Sequence, residues 1–269
     1  MTIIFFHGLG SSKKQLNYAY KDNKYIKSDF IKQLQKIDDV YIPTIPYTNV
    51  YYYGEHKQMS KLYEPLEYLD YNDLMLDKYI TKLYKSLDKT NMKQPYILLA
   101  SSHGIYYACE FFRQYKDKVK CIVSLDGSWI TNKLNKKRLS NWKKKGKIIP
   151  KINNQKTLDD IMDKIKNEKD NSVYIQMIFD YVRGIHTKFA IKQNYEKLNV
   201  SFITFRDYES NPKDNFNEHN INVLEENKIL SKYSNHLIYI MLDASHAIWT
   251  NDNYKNTIIK TIKTLANCK

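Results

Sequence analysis

Short runs of the chain are apolar almost without interruption, and stretches of helical periodicity separate them. "TIIFF" (2–6), "PYILLA" (95–100) and "KCIVSL" (120–125) are the clearest runs, and "SFITF" (201–205) and "LIYIML" (237–242) follow late in the chain. A strand with one wet face alternates apolar and polar residues. A strand that is apolar at every position must be covered on both faces. Between the runs, "KSDFIKQLQKI" (27–37) carries Phe30, Ile31, Leu34 and Ile37 at helical spacing, with Ser28 as a candidate cap. "DYNDLMLDKYITKLYKSLD" (70–88) reads as an amphipathic helix with acids in its first turn. "GIYYACEFFRQYK" (104–116) and "NDNYKNTIIKTIKTLA" (251–266) read as two more helices. Strands alternating with helices define an α/β chain: a mostly parallel sheet flanked by helices, with right-handed crossovers. "DVYIPTIPY" (39–47) is expected as a further strand, with Pro43 and Pro46 near its end.

The alternation breaks between 130 and 197. "TNKLNKKRLSNWKKKGKIIPK" (131–151) holds nine basic residues and no acid. "TLDDIMDKIKNEKD" and "SVYIQMIFDYVRGI" then read as helices. The segment is expected to be a helical lid inserted over the edge where the strands end, with residues 1–129 and 198–269 forming the core; two ordinary helices of the layer are the alternative.

The net charge of +14 raises nucleic acid and anionic surfaces as partners. Two features weigh against nucleic acid. Only four residues are arginine, whereas readout of bases and phosphates favours the guanidinium fork. "NWKKKGK" interleaves a single aromatic residue, which is no stacking platform. Weak association of 131–151 with an anionic surface stays open. Cys109, Cys121 and Cys268 give neither a disulfide framework nor a metal spacing, so a reducing, cytoplasmic setting is expected. The N-terminus carries no basic segment before its apolar run, and no run approaches the ~18 residues of a membrane span.

Chemistry concentrates at the ends of the apolar runs. "ASSHG" (100–104) lies between a strand and a helix and places Ser102 in a small-x-Ser-x-small frame, with Ala100 and Gly104 as the small residues. A nucleophile on a strained strand-to-helix turn needs neighbours without bulk. Ser101 fits less well, because Leu99 and His103 would then occupy the small positions. "MLDASHAIW" puts His246 just after the last strand, where it can serve as the base. "FFHGLGSS" follows the first strand, and Gly8 and Gly10 let the backbone turn its amides inward. The N–H groups of Leu9 and His103 are the candidate oxyanion donors. Neither the P-loop spacing nor G-x-G-x-x-G is present, so no nucleotide cofactor is expected. His7, His103 and His246 should share one sheet edge with Asp126, yet no metal spacing such as H-E-x-x-H accompanies them.

Taken together, HGLGSS after the first strand, ASSHG after a central strand and DASH after a late strand resemble the α/β-hydrolase superfamily. The resemblance covers the chain except for 130–197. Two departures stand out: Ala100 replaces the first glycine of the elbow, and the chain begins at what the family would call its third strand. That resembles the shortened intracellular esterases of the superfamily. The resemblance implies a serine hydrolase of carboxylesterase or lipase type, acting on a small-molecule ester or thioester without a cofactor. It implies a triad of Ser102, His246 and an acid after the strand that precedes the histidine's strand. Asp207 lies nearest that strand end; Glu209 and Asp126 are the alternatives. A hydrolase fold used only for binding is the competing expectation, against which stand the candidates for every triad role.

Overall fold

The structure, a computed structural model, describes residues 1–9, 11–21, 24–45, 47, 50, 68–127, 132–144, 149–195, 198–207, 228, 238–242 and 248–268. Six strands form the main sheet: β1 (Thr2–Phe6), β4 (Asp39–Tyr41), β5 (Tyr96–Ser101), β6 (Val119–Leu125), β7 (Phe202–Asp207) and β8 (Ile238–Leu242). Their order is β4-β1-β5-β6-β7-β8. Every pairing in this sheet is parallel. All six strands therefore end on one edge, and the residues that follow them meet there. A separate antiparallel hairpin pairs β2 (Tyr18–Lys21) with β3 (Lys24–Lys27).

Two apolar layers explain the unbroken apolar runs. Ile3 and Phe5 of β1, with Ile97 and Leu99 of β5, pack on one face against Phe30, Ile31 and Leu34 of α1 (Phe30–Gln35) and Ile258 and Ile262 of α7 (Asp252–Asn267). Ile4, Phe6, Leu98 and Ala100 point the other way. There they meet α2 (Leu76–Asp88) and α3 (Gly104–Tyr115). Period-two geometry sends alternate side chains to opposite faces, so both sets must be apolar.

Between β6 and β7 run three helices: α4 (Asn132–Lys144), α5 (Gln155–Asn167) and α6 (Ser172–Gln193). Apolar residues of α5 and α6, including Leu158, Ile165, Ile178 and Val182, join the layer that holds α2 and α3. The Asn154 side chain caps α5 by accepting from the Thr157 N–H at 3.0 Å.

Several boundaries differ from the sequence expectations. The strand expected over 39–47 stops at Tyr41, two residues before Pro43, which has no N–H to give a ladder. The helix expected over 27–37 is only Phe30–Gln35; Asp29 is its N-cap, and Ser28 Oγ accepts from the Phe30 N–H at 3.3 Å. The helix expected over 70–88 divides at Met75, whose ψ of 118° is extended, into a 3₁₀ turn (Tyr71–Leu74) and α2. The basic stretch after 131, for which no helix is expected, forms α4.

Candidate active site

Ser101 is the last residue of β5 and is buried; α3 begins at Gly104. Ser102 joins them with φ of 50°. A non-glycine residue in this left-handed region costs on the order of 1–3 kcal/mol, and persists only where the surroundings hold it. Here the Ser102 N–H donates to the Leu125 carbonyl at 3.2 Å, and its own carbonyl accepts from the Ile105 N–H at 3.3 Å. Three glycines press on the turn. A Cβ on Gly104 would stand 2.2 Å from the Phe6 carbonyl oxygen, one on Gly127 2.9 Å from the Ser102 carbonyl oxygen, and one on Gly8 3.1 Å from Ser102 Cβ. Sharp turn, close helix docking and absent side chains thus belong to one piece of geometry.

Gly8 brings the loop after β1 against the serine. A Cβ there would lie 3.7 Å from Ser102 Oγ. The Ser11 N–H donates to the Gly8 carbonyl at 3.2 Å and closes the turn. The His7 ring is buried, and its Nδ1–H donates to the same carbonyl at 3.2 Å. Burial pushes His7 down to about 4, only partly offset by bonds to the Gly8 and Pro43 carbonyls, so the ring is neutral near pH 7. Leu9, half-buried, follows directly; Gly10 lies outside the described residues. Among the described residues, no backbone hydrogen bond engages the Leu9 or His103 N–H. His103 also stands at the N-terminal, positive end of α3.

The next strand ends present the acid candidates. Asp126 follows β6 with φ of 51° and is buried. Its N–H donates to the Phe205 carbonyl at 2.7 Å, and its carboxylate pairs with Arg206 of β7 at 2.7 Å. Asp207 closes β7, in register with Leu242, the last residue of β8. The side chain of Asp207, and Glu209 and His246 altogether, lie outside the described residues.

Sequence reasoning missed what lies over the elbow. The rings of His103 and His186 of α6 stack with centroids 5.1 Å apart, and His103 Nε2 meets His186 Nδ1 at 2.9 Å. His186 Nε2 meets the Leu74 carbonyl at 2.9 Å. A carbonyl only accepts, so His186 carries its proton on Nε2, and His103 donates from Nε2 to His186 Nδ1. Burial pushes His186 down to about 4. Burial first, then the electrostatic influence of the neighbouring His186 ring and of the Arg183 and Arg138 charges, holds His103 well below its ordinary value. Beside this pair, Tyr106 of α3 donates to Asn135 Oδ1 of α4 at 3.1 Å, and Arg138 Nη1 donates to the tyrosine oxygen at 3.2 Å. A single histidine in an amphipathic pattern gives no signal of such a contact.

Among the described residues, no group of three His, Cys, Asp or Glu side chains could hold a metal, and no helix is long and apolar enough to cross a membrane. An open groove between α2 and α3, walled by Lys78, Lys82, Lys85 and Arg113, lies toward the far end of α3 from Ser102.

The overall fold has counterparts among solved structures. The chain is similar to olei00960, a hydrolase from Oleispira antarctica, with a TM-score of 0.56 and 11% identity over 99% of this chain and 91% of that one. It is similar to alpha/beta hydrolase domain-containing protein 10 from mouse, with a TM-score of 0.54 and 12% identity over 98% of this chain and 88% of that one. A thermophilic esterase from Thermogutta terrifontis matches with a TM-score of 0.52 and 12% identity, over 99% of this chain and 91% of that one. No protein-family model and no curated protein matches the sequence. The chain has the α/β-hydrolase fold.

Proposed function

We propose that the chain is a serine hydrolase that cleaves an ester or thioester of a small molecule through an acyl-enzyme. The observation that carries this reading is the left-handed backbone of Ser102, set between a buried strand and Gly104 with Gly8 against it. Such a turn exposes a serine hydroxyl above the sheet edge, where a base from a neighbouring strand end can reach it.

In this reading Ser102 is the nucleophile, His246 the base and Asp207 the acid, with Glu209 and Asp126 as alternatives. His246 takes the serine proton as Oγ attacks the carbonyl carbon. The oxyanion then accepts from the Leu9 and His103 N–H groups, and the positive end of α3 adds to their field. His246 returns the proton to the leaving group, and water, activated by the same ring, releases the acid product. The acid holds the histidine tautomer and stabilises the imidazolium.

Chain length is compatible with these roles. Ser102 and the end of β8 are three strand spacings apart, or about 14 Å at ~4.8 Å each. His246 is four residues past Leu242, a reach of up to ~14 Å before its side chain is added. Asp207 ends the strand next to β8. In this reading α4 to α6 act as a lid, supported by the contacts of α4 with Tyr106 and of α6 with His103.

A fluorophosphonate probe tests the proposal. Wild-type protein and Ser101→Ala should be labelled, and Ser102→Ala should not. Labelling that survives in Ser102→Ala, or a folded wild type that never labels, would refute the assignment. Comparing Asp207→Asn, Glu209→Gln and Asp126→Asn in ester hydrolysis then identifies the acid, whose loss should cost about 10⁴ in turnover.

A further inference from the structure

Four of the chain's 43 basic residues are arginines. Arginine differs from lysine in its planar fork, which matches carboxylate and phosphate oxygens in pairs. Two of the four meet buried carboxylates, one of them with both arms of the fork. Arg113 reaches both oxygens of Glu110, at 2.6 and 2.8 Å, and Arg206 meets Asp126 at 2.7 Å. The other two, Arg138 of α4 and Arg183 of α6, have no ion pair with a carboxylate among the described residues.

Both lie beside the elbow. Arg138 donates to the Tyr106 hydroxyl, and the Tyr106 ring lies 4.6 Å from that of His103. Arg183 sits three residues before His186, so it shares a helix face with the ring that meets His103. Arg138 is half-buried and Arg183 exposed, so both remain open to a ligand. A third group meets the same Tyr106 hydroxyl as Arg138. Asn135, one turn before Arg138 on α4, is fully buried; its Oδ1 accepts from Tyr106, but its Nδ2 has no partner among the described residues. An unmet buried donor is costly and calls for an acceptor. No carboxylate competes for that place from α4, whose 13 residues hold six basic groups and no acid.

We propose that Arg138, Arg183 and Asn135 form a subsite for an anionic group, carboxylate or phosphate, carried by the substrate of the Ser102 centre. The inference rests on the serine hydrolase reading. Tyr106 is the third residue of α3, which starts two residues after Ser102. The anionic group would therefore stand beside the first turn of the helix that leads away from Ser102. Neutral imidazoles at His103 and His186 separate the two without adding a competing charge.

The test compares three p-nitrophenyl esters of equal acyl length. One is neutral, one ends in a carboxylate and one ends in a phosphonate. Wild-type kcat/KM should favour at least one charged ester over the neutral one by about 10- to 100-fold, as loss of a charge-assisted bond implies. Which charged ester is favoured separates carboxylate from phosphate. Arg138→Gln and Arg183→Gln should each reduce that preference about tenfold or more, Arg138→Lys should recover part of it, and Lys143→Gln should leave it in place. Equal rates on all three esters would overturn the inference while Ser102 labelling still upheld the hydrolase. So would a preference that falls as much with Lys143→Gln as with the arginine variants, since that marks a diffuse field. Should the protein hydrolyse nothing, calorimetry with glutarate and inorganic phosphate decides the subsite separately. Binding lost in both arginine variants supports it, and no binding to wild type overturns it.

Discussion

Two residues at neighbouring strand ends take the left-handed backbone, Ser102 and Asp126, and they do so for different ends. In the proposed reading, Ser102 gains a hydroxyl lifted off the sheet edge. Asp126 gains a buried ion pair across to Arg206, and its turn continues into Gly127, which abuts the Ser102 carbonyl. The Gly127 N–H donates to Ser124 Oγ, which in turn donates to the Gly127 carbonyl, both at 3.1 Å. The β6 turn is thus a floor for the elbow. Breaking a buried pair from one side leaves a charge without compensation and typically costs about 3–5 kcal/mol. Arg206→Met alone should therefore lower the urea midpoint sharply, and Arg206→Met with Asp126→Leu should recover much of the loss. If the single variant unfolds at the wild-type midpoint, the pair does not hold the turn.

At the scale of elements, α3 is the part most tightly constrained by sequence. Gly104 must lack a Cβ because the helix starts on the Phe6 carbonyl of β1. Gly104→Ala should push helix and strand apart and destabilise by about 1–3 kcal/mol or more, read in thermal unfolding, with loss of probe labelling at the Ser102 turn. An unchanged melting temperature would mean the helix can shift at no cost. The same scale explains what was legible in the chain. Doubly buried strands and their glycine-flanked ends declare themselves, because both faces of such a strand must be apolar and a tight turn must be small. Helix α4 did not, since its lysine-rich sequence lacks an apolar stripe; the polar contacts of Asn135 and Arg138 with Tyr106 tie it to α3. The 18–27 hairpin was missed for want of an apolar run. His186 could not be foreseen either, because its partner is 83 residues away and no spacing encodes it.

For the whole molecule, the buried neutral histidines set a pH response. His7 and His186 are pushed from 6.5 to about 4 in the folded state, while unfolding returns them to water. Between those values the unfolded chain binds more protons than the folded one, so stability rises with pH. It is complete above about 6.5 and is lost as pH falls toward about 4. Each histidine contributes a slope of up to about 1.4 kcal/mol per pH unit within that window. Urea titrations at pH 7, 6 and 5 should show midpoints falling with acid, and His186→Gln should flatten the fall. A variant as acid-sensitive as wild type would remove His186 from the account.

The position of β1 has a kinetic consequence. It lies inside the sheet, between β4 and β5, and Thr2 pairs with Tyr96. A loop of more than 90 residues must close before the Gly8 turn and the Ser102 turn can touch. Contacts so distant along the chain form slowly compared with local helices. A refolding sample should therefore recover its helical circular dichroism well before the probe labelling expected at Ser102 returns. The interval between the two signals would time the arrival of the first strand.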